Sequence, residues 1–467
     1  MKYIFFNFDF FEKYENVSIK FCKLTDAKII IDIKNEKFNF LGYGSVIQKE
    51  DKLNLYYAGW TNYKGFHHGA NIMLLQKNDK HEILKPVIKD DDDAFPNSVF
   101  NDGGIASHFT IFYDLRTSDY KLIGGFHFLT ANLLNIYNKE LYGHTSECLN
   151  TLKLVDYKRI GSLTKRKMIM NEKPNYCKNN GLYILQSTDA IKWDYILQHP
   201  LRIPSGHEKD IGISEFDSQP SCFYDLVTEN YFLYTRNNIR KGNRYVKLFK
   251  SSNFIDWRGP FKIILHPTFD SEEDNIYLFN ANRYPDTEYF YAFVNFFSVK
   301  KEINGIFIAN STDGVNWHLL SKIKNCLNYN HSLRFIFTGS PIVYGPDQFN
   351  IYMNKDQKQL LEYTLRKDSL SFISASEELG KLESRLVMKT QPFIILNYET
   401  FSDGFIIMQL RDEINQIIPT YDFESFDILK SDDIERQVSW NKNSNLPDTS
   451  FHIEIILQNA KLYSIII

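Results

Sequence analysis

The stretch from Gly181 to Trp257 decides the fold, because it contains short segments of a few kinds that recur along the chain. It reads GLYILQSTDAIKW at 181–193, EFDSQPSCFYDLVTENYFLYTRNN at 215–238 and YVKLFKSSNFIDW at 245–257. Its apolar segments are rich in Tyr, Phe, Ile and Val and are bounded by turn residues, as expected for β-strands. The stretch therefore predicts strands joined by tight turns.

Two of these segments occur five times, which predicts a repeat architecture. The aromatic segment occurs as LNLYYAGW, YKLIGGFHF, YFLYTR, YFYAFVNFF and FNIYMN, beginning at Leu53, Tyr120, Tyr231, Tyr289 and Phe349. The apolar segment occurs as GANIMLLQ, GLYILQSTD, YVKLFKSSN, GIFIANSTD and LLEYTLRKD, beginning at Gly69, Gly181, Tyr245, Gly305 and Leu360. Five copies of each indicate five blades, so we predict a five-bladed β-propeller from about Gly42 to Ala375.

A turn motif, Ser-x-(Asp/Asn)-x-x-x-Trp, follows the apolar segment in three blades. It stands at 187–193, 251–257 and 311–317. In the last copy, Asp313 and Gly314 suit a tight turn after the third strand, and Trp317 can return to pack between blades. The motif therefore has a structural role, and we assign no chemistry to it.

The sequence predicts an all-β fold in two parts. Residues 1–375 form the predicted propeller, with an insertion at about 129–177 that we interpret as surface decoration rather than a lid. One strand before residue 40 is expected to complete the last blade, because propeller rings commonly close by pairing strands from the two chain ends. After a polar linker, six or so short strands at 386–467 predict a small β-sandwich.

Composition and charge argue against several function classes. A formal net charge of -3 gives no electrostatic basis for binding nucleic acid or an anionic membrane. Five scattered cysteines lack metal-ligand spacing, which argues against a zinc site and against a disulfide framework. Acidic residues interrupt the apolar N-terminus, and no apolar run reaches the length of a membrane span. We therefore expect a cytoplasmic protein without a metal ion or cofactor.

Several stretches together give the chain a resemblance to propeller glycoside hydrolases. They include GYGSVI, FTIFYD, FDSQPSCFYD and NIYLFNANRYP in the propeller, and KTQPFIILNYET and DDIERQVSW in the tail. A five-bladed propeller followed by a β-sandwich resembles glycoside hydrolase family 32, and the propeller alone is similar to families 43 and 68. Uncharacterised bacterial glycosidase-like proteins are more similar still. The resemblance implies a carbohydrate substrate and a catalytic pair of carboxylates.

The first inner strand departs from the family pattern. Family 32 enzymes carry a Trp-Met-Asn-Asp-Pro-Asn-like motif there, whose Asp is the nucleophile. In this chain the strand reads LGYGSV at 41–46 and has no carboxylate. The Arg-Asp-Pro and Glu-Cys motifs of that family are also absent. The resemblance therefore supports the fold more strongly than the mechanism.

Carboxylates beside the inner strands are the candidate catalytic groups, because glycoside hydrolysis needs two of them across the substrate. Asp217 is the best candidate, and Asp114, which closes FTIFYD, is the second. Glu273 lies in the acidic run just before NIYLFN and is the candidate general acid. The structural alternatives are that Asp217 is a buried hydrogen-bond acceptor, that Asp114 is a turn aspartate and that Glu273 lies in a solvated loop.

Further side chains are predicted to bind the sugar. On a strand, the residues two before and two after Asp217 point the same way as its carboxylate. Imidazole and guanidinium groups can bind hydroxyls or carboxylates, and aromatic faces can stack on a sugar ring, although core packing is the commoner role of an aromatic. These candidates are Trp60, His108, Glu215, Gln219, Arg236, Tyr277 and Arg283.

The sequence favours a glycoside hydrolase or glycosyl-transferring enzyme that acts on a carbohydrate at the mouth of the propeller channel. A non-catalytic carbohydrate-binding or scaffold propeller is the alternative, and the missing first-blade Asp favours it. Protein binding is a third, weaker possibility. A concave acidic and aromatic mouth would indicate sugar binding, whereas a broad exposed rim would indicate a protein partner.

Overall fold

The fold is almost entirely β. The computed structural model describes residues 1–49, 52–63, 66–77, 82–86, 88, 97–100, 108–126, 181–197, 201, 218–238, 244–266, 275–298, 303–322 and 334–467. Within these ranges the regular elements are strands and one short 3₁₀-helix at Ile33–Asn35. The predicted all-β class and five-bladed propeller are confirmed. The predicted insertion at 129–177 lies outside the described residues.

The strands are numbered in chain order. The N-terminal strands are β1 Lys2–Ile4, β2 Phe11–Glu15, β3 Val17–Phe21 and β4 Lys28–Asp32. Blade one contains β5 Phe40–Lys49, β6 Lys52–Tyr63, β7 Phe66–Lys77, β8 Ile83–Leu84 and β9 Ser98–Phe100. Blade two contains β10 Phe109–Asp114, β11 Asp119–Phe126, β12 Gly181–Ser187 and β13 Asp194–Tyr195. Blade three contains β14 Ser221–Asp225, β15 Asn230–Asn238, β16 Arg244–Ser251 and β17 Arg258–Lys262.

The remaining strands complete the ring and the C-terminal part. Blade four contains β18 Ile264–His266, β19 Asn275–Arg283, β20 Phe290–Ser298, β21 Ile303–Ser311 and β22 Asn316–Lys322. Blade five contains β23 Arg334–Ile336, β24 Thr338–Gly339, β25 Val343–Tyr344, β26 Gln348–Lys355 and β27 Gln359–Arg366. The C-terminal strands are β28 Ser371–Ala375, β29 Gly380–Ser384, β30 Ile395–Arg411, β31 Asp432–Gln437 and β32 His452–Ile466.

The inner strands of the blades form a closed ring. In order around the axis, β5 contacts β10, β10 contacts β14, β14 contacts β19 and β19 contacts β24. Strand β24 then pairs in parallel with β5, with Thr338 opposite Ser45. This pairing shows that the inner strands of blades one and five run in the same direction. A ring of five blades follows from these contacts.

One buried apolar cluster lies between each pair of neighbouring blades. The clusters are centred on Tyr56 and Phe109, Phe112 and Leu233, Phe232 and Phe279, Phe293 and Ile351, and Tyr352 and Leu55. Each blade is therefore covered on both faces, which explains why its strands read as nearly continuous apolar runs. Burial of this apolar surface between blades is the main force that holds the ring together.

The Ser-x-(Asp/Asn)-x-x-x-Trp motif forms the predicted turn. In blade four, Oδ1 of Asp313 accepts hydrogen bonds from the backbone N–H groups of Val315 and Asn316, both at 2.7 Å. The indole N–H of Trp317 donates to the carbonyl of Gly314 at 3.0 Å, and its ring lies in the cluster between blades three and four. The structural interpretation of the motif is confirmed.

Replacing Gly314 with alanine should destabilise the propeller. Gly314 has a φ of +71°, and an added Cβ would lie 2.8 Å from Cε1 of Phe232 and 2.9 Å from the hydroxyl oxygen of Tyr234. Strain and overpacking together should lower the free energy of unfolding by about 1–3 kcal/mol, measured by urea denaturation. Thr312→Ala, at an exposed position of the same turn, is the control. Equal midpoints for both variants would show that the turn relaxes around the new methyl group.

An N-terminal strand completes the last blade, as expected, and the structure identifies it as β4. It pairs antiparallel with β27, with Ile31 opposite Leu360. Both side chains are buried. The carboxamide of Gln359 also donates to Asp32 at 2.8 Å. Residues near the start of the chain thus hold blade five in place.

The C-terminal part is built from both ends of the chain. Strands β28–β32 join β1, β2 and β3 in one eight-stranded sheet, in which β1 pairs with β32, β2 with β29 and β3 with β28. This sheet spans the predicted division into 1–375 and 386–467, because β1–β3, β28 and β29 belong to it. Pairing between such distant segments leaves no mark in local periodicity. A two-sheet sandwich stays a prediction.

A buried ion pair joins the propeller to this sheet. The Lys2 ammonium lies 2.6 Å from the Asp368 carboxylate, and their exposed fractions are 7% and 3%. The carboxylate also accepts hydrogen bonds from the hydroxyls of Tyr284 at 3.2 Å and Ser464 at 2.8 Å. Blade four, β1 and β32 therefore meet at one carboxylate. A cavity of about 280 Å³ lies beside it, lined by both residues of the pair.

Candidate functional site

Side chains from four blades meet near the points where the inner strands start. These side chains belong to Tyr43 in β5, His108 just before β10, Ser218 before β14 and Tyr277 in β19. We call this group the strand-start mouth. Because the inner strands of a propeller run the same way around the axis, their starts lie at one end of the ring.

Three contacts link the four residues of the strand-start mouth. The Tyr43 hydroxyl donates to the Tyr277 hydroxyl at 3.4 Å, and the Tyr43 ring centroid lies 5.3 Å from the His108 ring at 44°. The Ser218 hydroxyl donates to the backbone carbonyl of Tyr277 at 3.2 Å. Hydroxyl and imidazole groups can each donate and accept hydrogen bonds, as sugar recognition requires.

Two guanidinium groups add positive charge to the strand-start mouth. The Cζ atoms of Arg236 and Arg244 lie 5.5 Å and 5.2 Å from the ring centroid of Tyr277, within the range of cation–π interactions. Arg236 is buried, with 5% of its surface exposed. The Tyr277 ring, predicted to stack on a sugar, therefore contacts guanidinium groups, while its hydroxyl faces Tyr43.

Gln219 lies beneath the strand-start mouth and does not face it. Its carboxamide nitrogen donates to the carbonyls of Gly44 at 2.7 Å and Phe109 at 2.9 Å, and to the Thr338 hydroxyl at 3.0 Å. Only 3% of the residue is exposed. Its amide hydrogens are directed at the inner strands of three other blades, and these contacts favour a structural role over the predicted contact with substrate.

Buried hydroxyls fill the axis next to Gln219. The Ser45 and Thr338 hydroxyls lie 2.8 Å apart, and the Thr110 hydroxyl donates to Thr338 at 2.8 Å. All three residues are fully buried. We call them the axial hydroxyl cluster. A ligand at the strand-start mouth would therefore lie above a packed polar floor rather than above an open channel.

Asp114 closes its inner strand at the end away from this site, and its contacts favour a structural role over the predicted catalytic one. It accepts hydrogen bonds from the Tyr231 hydroxyl at 2.6 Å, the Thr117 hydroxyl at 2.8 Å and the Arg116 backbone N–H at 3.0 Å. It is fully buried and stands five residues beyond Phe109, about 16 Å along the strand. Burial, with the hydrogen bond to Asp114, raises the pKa of Tyr231. The alternative of a turn aspartate is the one the contacts support.

The Asp114→Asn variant should lose stability and keep any glycan-processing activity. The amide retains one acceptor oxygen but cannot satisfy the Tyr231 and Thr117 hydroxyls and the backbone N–H with the strength of a carboxylate. Loss of hydrogen bonds to a charged group should lower the free energy of unfolding by about 1.5–3 kcal/mol. Thermal unfolding and activity measured on one preparation check this, and a selective loss of activity would return Asp114 to the candidate site.

Arg283 is also placed away from the strand-start mouth. Its guanidinium forms a two-point pair with the Asp225 carboxylate, with Nη2 at 2.8 Å from Oδ2, and it lies 4.1 Å from the Phe290 ring centroid. Burial raises the pKa of Asp225, but hydrogen bonds from Arg283 and Thr228 and the guanidinium charge outweigh it, so that pKa lies below its ordinary value. Arg283 links the ends of two inner strands, and these contacts favour a structural role over the predicted contact with substrate.

Trp60 lies close to the strand-start mouth but packs against the protein. It is half-buried and contacts the apolar cluster between blades one and two. An added Cβ on Gly42 would lie 2.6 Å from its indole nitrogen, so the indole occupies the space that the glycine leaves. Core packing, the commoner role for an aromatic residue, accounts for these contacts.

The carboxylates expected at this site fall outside the described residues. They are Glu215, Asp217 and Glu273. Asp217 directly precedes Ser218 in the chain, and Glu273 precedes β19 by two residues. The contacts given above for the strand-start mouth involve tyrosine, histidine, serine and arginine side chains and no carboxylate. Across the described ranges, no group of three or more His, Cys, Asp or Glu residues could hold a metal ion, and no helix is long and apolar enough to cross a membrane.

No model of a known protein family and no curated protein matches this sequence. Solved structures resemble it at low identity. An N-acetylgalactosamine deacetylase from F. plautii, in complex with blood group B trisaccharide, aligns with 76% of this chain and 97% of that chain at 11% identity and a TM-score of 0.42. A family 43 arabinoxylan arabinofuranohydrolase from Bacillus subtilis aligns with 94% of this chain and 96% of that chain at 7% identity and a TM-score of 0.37.

A structure from glycoside hydrolase family 130 aligns similarly. It covers 74% of this chain and 94% of that chain, at 12% identity and a TM-score of 0.41. Likenesses at this level carry no inference about activity. The five-bladed ring rests instead on the strand pairing and inter-blade contacts of the chain itself.

Tyr43, Ser218 and Arg244 contribute to the site and are not among the residues that the sequence singles out. Tyr43 stands on the first inner strand, within GYGSVI, and Ser218 lies within FDSQ. A useful signal is their position near the start of an inner strand, because residues there converge on one end of the ring. Arg244 opens the third strand of its blade, and no sequence motif distinguishes it from other strand arginines.

Proposed function

We propose that this protein is a glycosidase-like enzyme that binds a carbohydrate at the strand-start mouth. The observation that carries the proposal is the meeting of the Tyr43 and Tyr277 hydroxyls, from blades one and four, beside His108 and Ser218. Neutral donors and acceptors from separate strands thus lie close to one point. A sugar, which presents several hydroxyls on an apolar ring, is the ligand that such a site suits best.

The proposed chemistry uses Asp217 and Glu273 as the carboxylate pair. Glu273 would act as the general acid that protonates the leaving oxygen, and Asp217 would act as nucleophile or as base toward water. Their positions in the chain support this, because one precedes Ser218 directly and the other precedes Tyr277 by four residues. The separation of the two carboxyl groups would decide between retention and inversion.

The remaining residues of the strand-start mouth would orient the substrate. The Tyr43 and Tyr277 hydroxyls and the His108 imidazole would exchange hydrogen bonds with sugar hydroxyls, and Glu215, three residues before Ser218 in the chain, would join them. Arg236 and Arg244 would hold the Tyr277 ring through cation–π contacts. Orientation of this kind lowers the activation barrier, because the substrate loses its rotational and translational freedom on binding rather than in the transition state.

A non-catalytic carbohydrate-binding propeller is the second candidate. The observation that favours it is the presence of Tyr43, and of no carboxylate, on the first inner strand. A tyrosine hydroxyl can bind a sugar hydroxyl but cannot act as a carboxylate nucleophile. Under this candidate the strand-start mouth holds the same sugar without cleaving it.

A panel of furanosides and pyranosides tests the proposal. Purified protein is assayed for binding by calorimetry and for cleavage by release of reducing ends. Cleavage of one member supports the enzyme, and binding without cleavage across the panel favours the binding propeller. If the protein neither binds nor cleaves any member of the panel, both candidate functions are contradicted.

A further inference from the structure

We propose that Gln219 is a positioning residue of the strand-start mouth, which fixes Tyr43 and His108 through the backbone of their strands. The inference rests on the proposed function for its catalytic consequence. Each carbonyl that the Gln219 amide binds belongs to the residue directly after a mouth residue: Gly44 follows Tyr43, and Phe109 follows His108. Gln219 itself follows Ser218. One side chain therefore connects three of the four positions.

The Gly44 carbonyl accepts hydrogen bonds from two side chains, the Gln219 amide at 2.7 Å and the Thr338 hydroxyl at 3.3 Å. The pairing of β5 with β6 is irregular between Leu41 and Gly44, and irregularities of this kind re-aim side chains near functional sites. Gln219 is the closer of the two donors, so its loss would weaken the support of this buried carbonyl. The 2.7 Å hydrogen bond from Gln219 supports the strand just where it turns Tyr43 toward Tyr277.

The axial hydroxyl cluster extends this support to blade two. Gln219 donates to Thr338, whose hydroxyl lies 2.8 Å from that of Ser45. The Ser45 oxygen in turn accepts the backbone N–H of Ile111 at 2.9 Å. Exchange of the Ile111 amide hydrogen thus reports on the Gln219 network without any substrate.

Gln219→Leu removes the donor and keeps a side chain of similar size. The carbonyls of Gly44 and Phe109 would then lose the amide, and their strands would shift. Displacement of positioning groups by about 1 Å can cost about 100-fold in kcat. Hydroxyl and imidazole groups would still be present, so KM should change by less than about threefold, since uniform binding is retained.

Asn97→Leu is the matched control. Asn97 is also a buried carboxamide that donates to a backbone carbonyl, that of Leu74 at 2.9 Å, and its contact lies in the outer part of blade one. Both variants should lower the melting temperature. Only Gln219→Leu should speed amide hydrogen exchange, followed by mass spectrometry, in the segments that contain Tyr43 to Ser45 and Ile111.

The experiment therefore measures exchange on the full chain and kinetics on the sugar that the panel identifies. Faster exchange in both segments together with a selective loss of kcat supports the proposal. Unchanged exchange, or an equal loss of kcat in the Asn97→Leu variant, would overturn it. If Gln219→Leu fails to fold, Gln219→Asn, which retracts the amide by one methylene, is measured in its place by the same criteria. If the wild-type protein cleaves no sugar, the proposed function fails, whereas exchange still decides whether Gln219 holds these strands.

Discussion

The Asp217→Asn variant should lose glycan cleavage by a factor of about 100–10,000 in kcat and should melt at the wild-type temperature, because general acid–base groups contribute on that scale. Asparagine keeps the shape and one acceptor oxygen of the side chain but removes the charge and the proton-accepting oxygen. A group that stabilises an oxocarbenium-like transition state or accepts a proton would thereby lose its role. Sugar binding should persist, since the hydroxyls of Tyr43 and Tyr277 are untouched.

The matched control for this variant is Asp114→Asn, because it makes the same chemical change at an aspartate that the structure buries in a turn. The two variants should show opposite patterns of activity and stability. Asp217→Asn should be inactive and stable, and Asp114→Asn should be active and less stable. Full activity of Asp217→Asn would remove that residue from the mechanism, and a lowered melting temperature would indicate a structural acceptor instead.

The Asp368→Ala variant should show the largest loss of stability that we expect from one substitution. It leaves the buried Lys2 ammonium without its carboxylate and leaves the hydroxyls of Tyr284 and Ser464 without an acceptor. Removing one partner of a buried pair costs about 3–5 kcal/mol. The propeller and the C-terminal sheet meet at this carboxylate, so the contact between them should weaken together with the fold.

Urea denaturation followed by tyrosine fluorescence measures this effect. Asp448→Asn provides the control, because Asp448 pairs with Lys389 at 2.7 Å but is 98% exposed. Exposed pairs contribute little, since solvent screens them, and the control should keep the wild-type midpoint. An Asp368→Ala midpoint equal to that of the control would mean that water or nearby groups replace the lost carboxylate.

Much of the fold can be predicted because each blade carries local signals. Alternating aromatic and apolar strands recur five times, and the Asp313 turn has a side-chain acceptor at the required position. Pairing between distant strands leaves no local signal. Nothing in the sequences of β1 and β32 shows that Lys2 lies opposite Ile466, because this pairing joins segments from the two ends of the chain.

The site could be predicted only in part, because alternation along a strand shows which residues share a face but not which end of the ring they reach. Asp114 and Arg283 close their strands, whereas His108 and Tyr277 lie near the starts. The structure therefore separates residues that the sequence grouped together. The Gln219 amide donates to backbone carbonyls, but a sequence does not show whether a buried amide faces substrate or backbone.

A crystal structure of the Asp217→Asn variant with the intact substrate found by the panel tests most directly whether a sugar binds at the strand-start mouth. We expect the sugar within hydrogen-bonding distance of the Tyr43 and Tyr277 hydroxyls, next to His108. A sugar bound only elsewhere, such as in the cavity beside Asp368 or on the C-terminal sheet, would contradict the account.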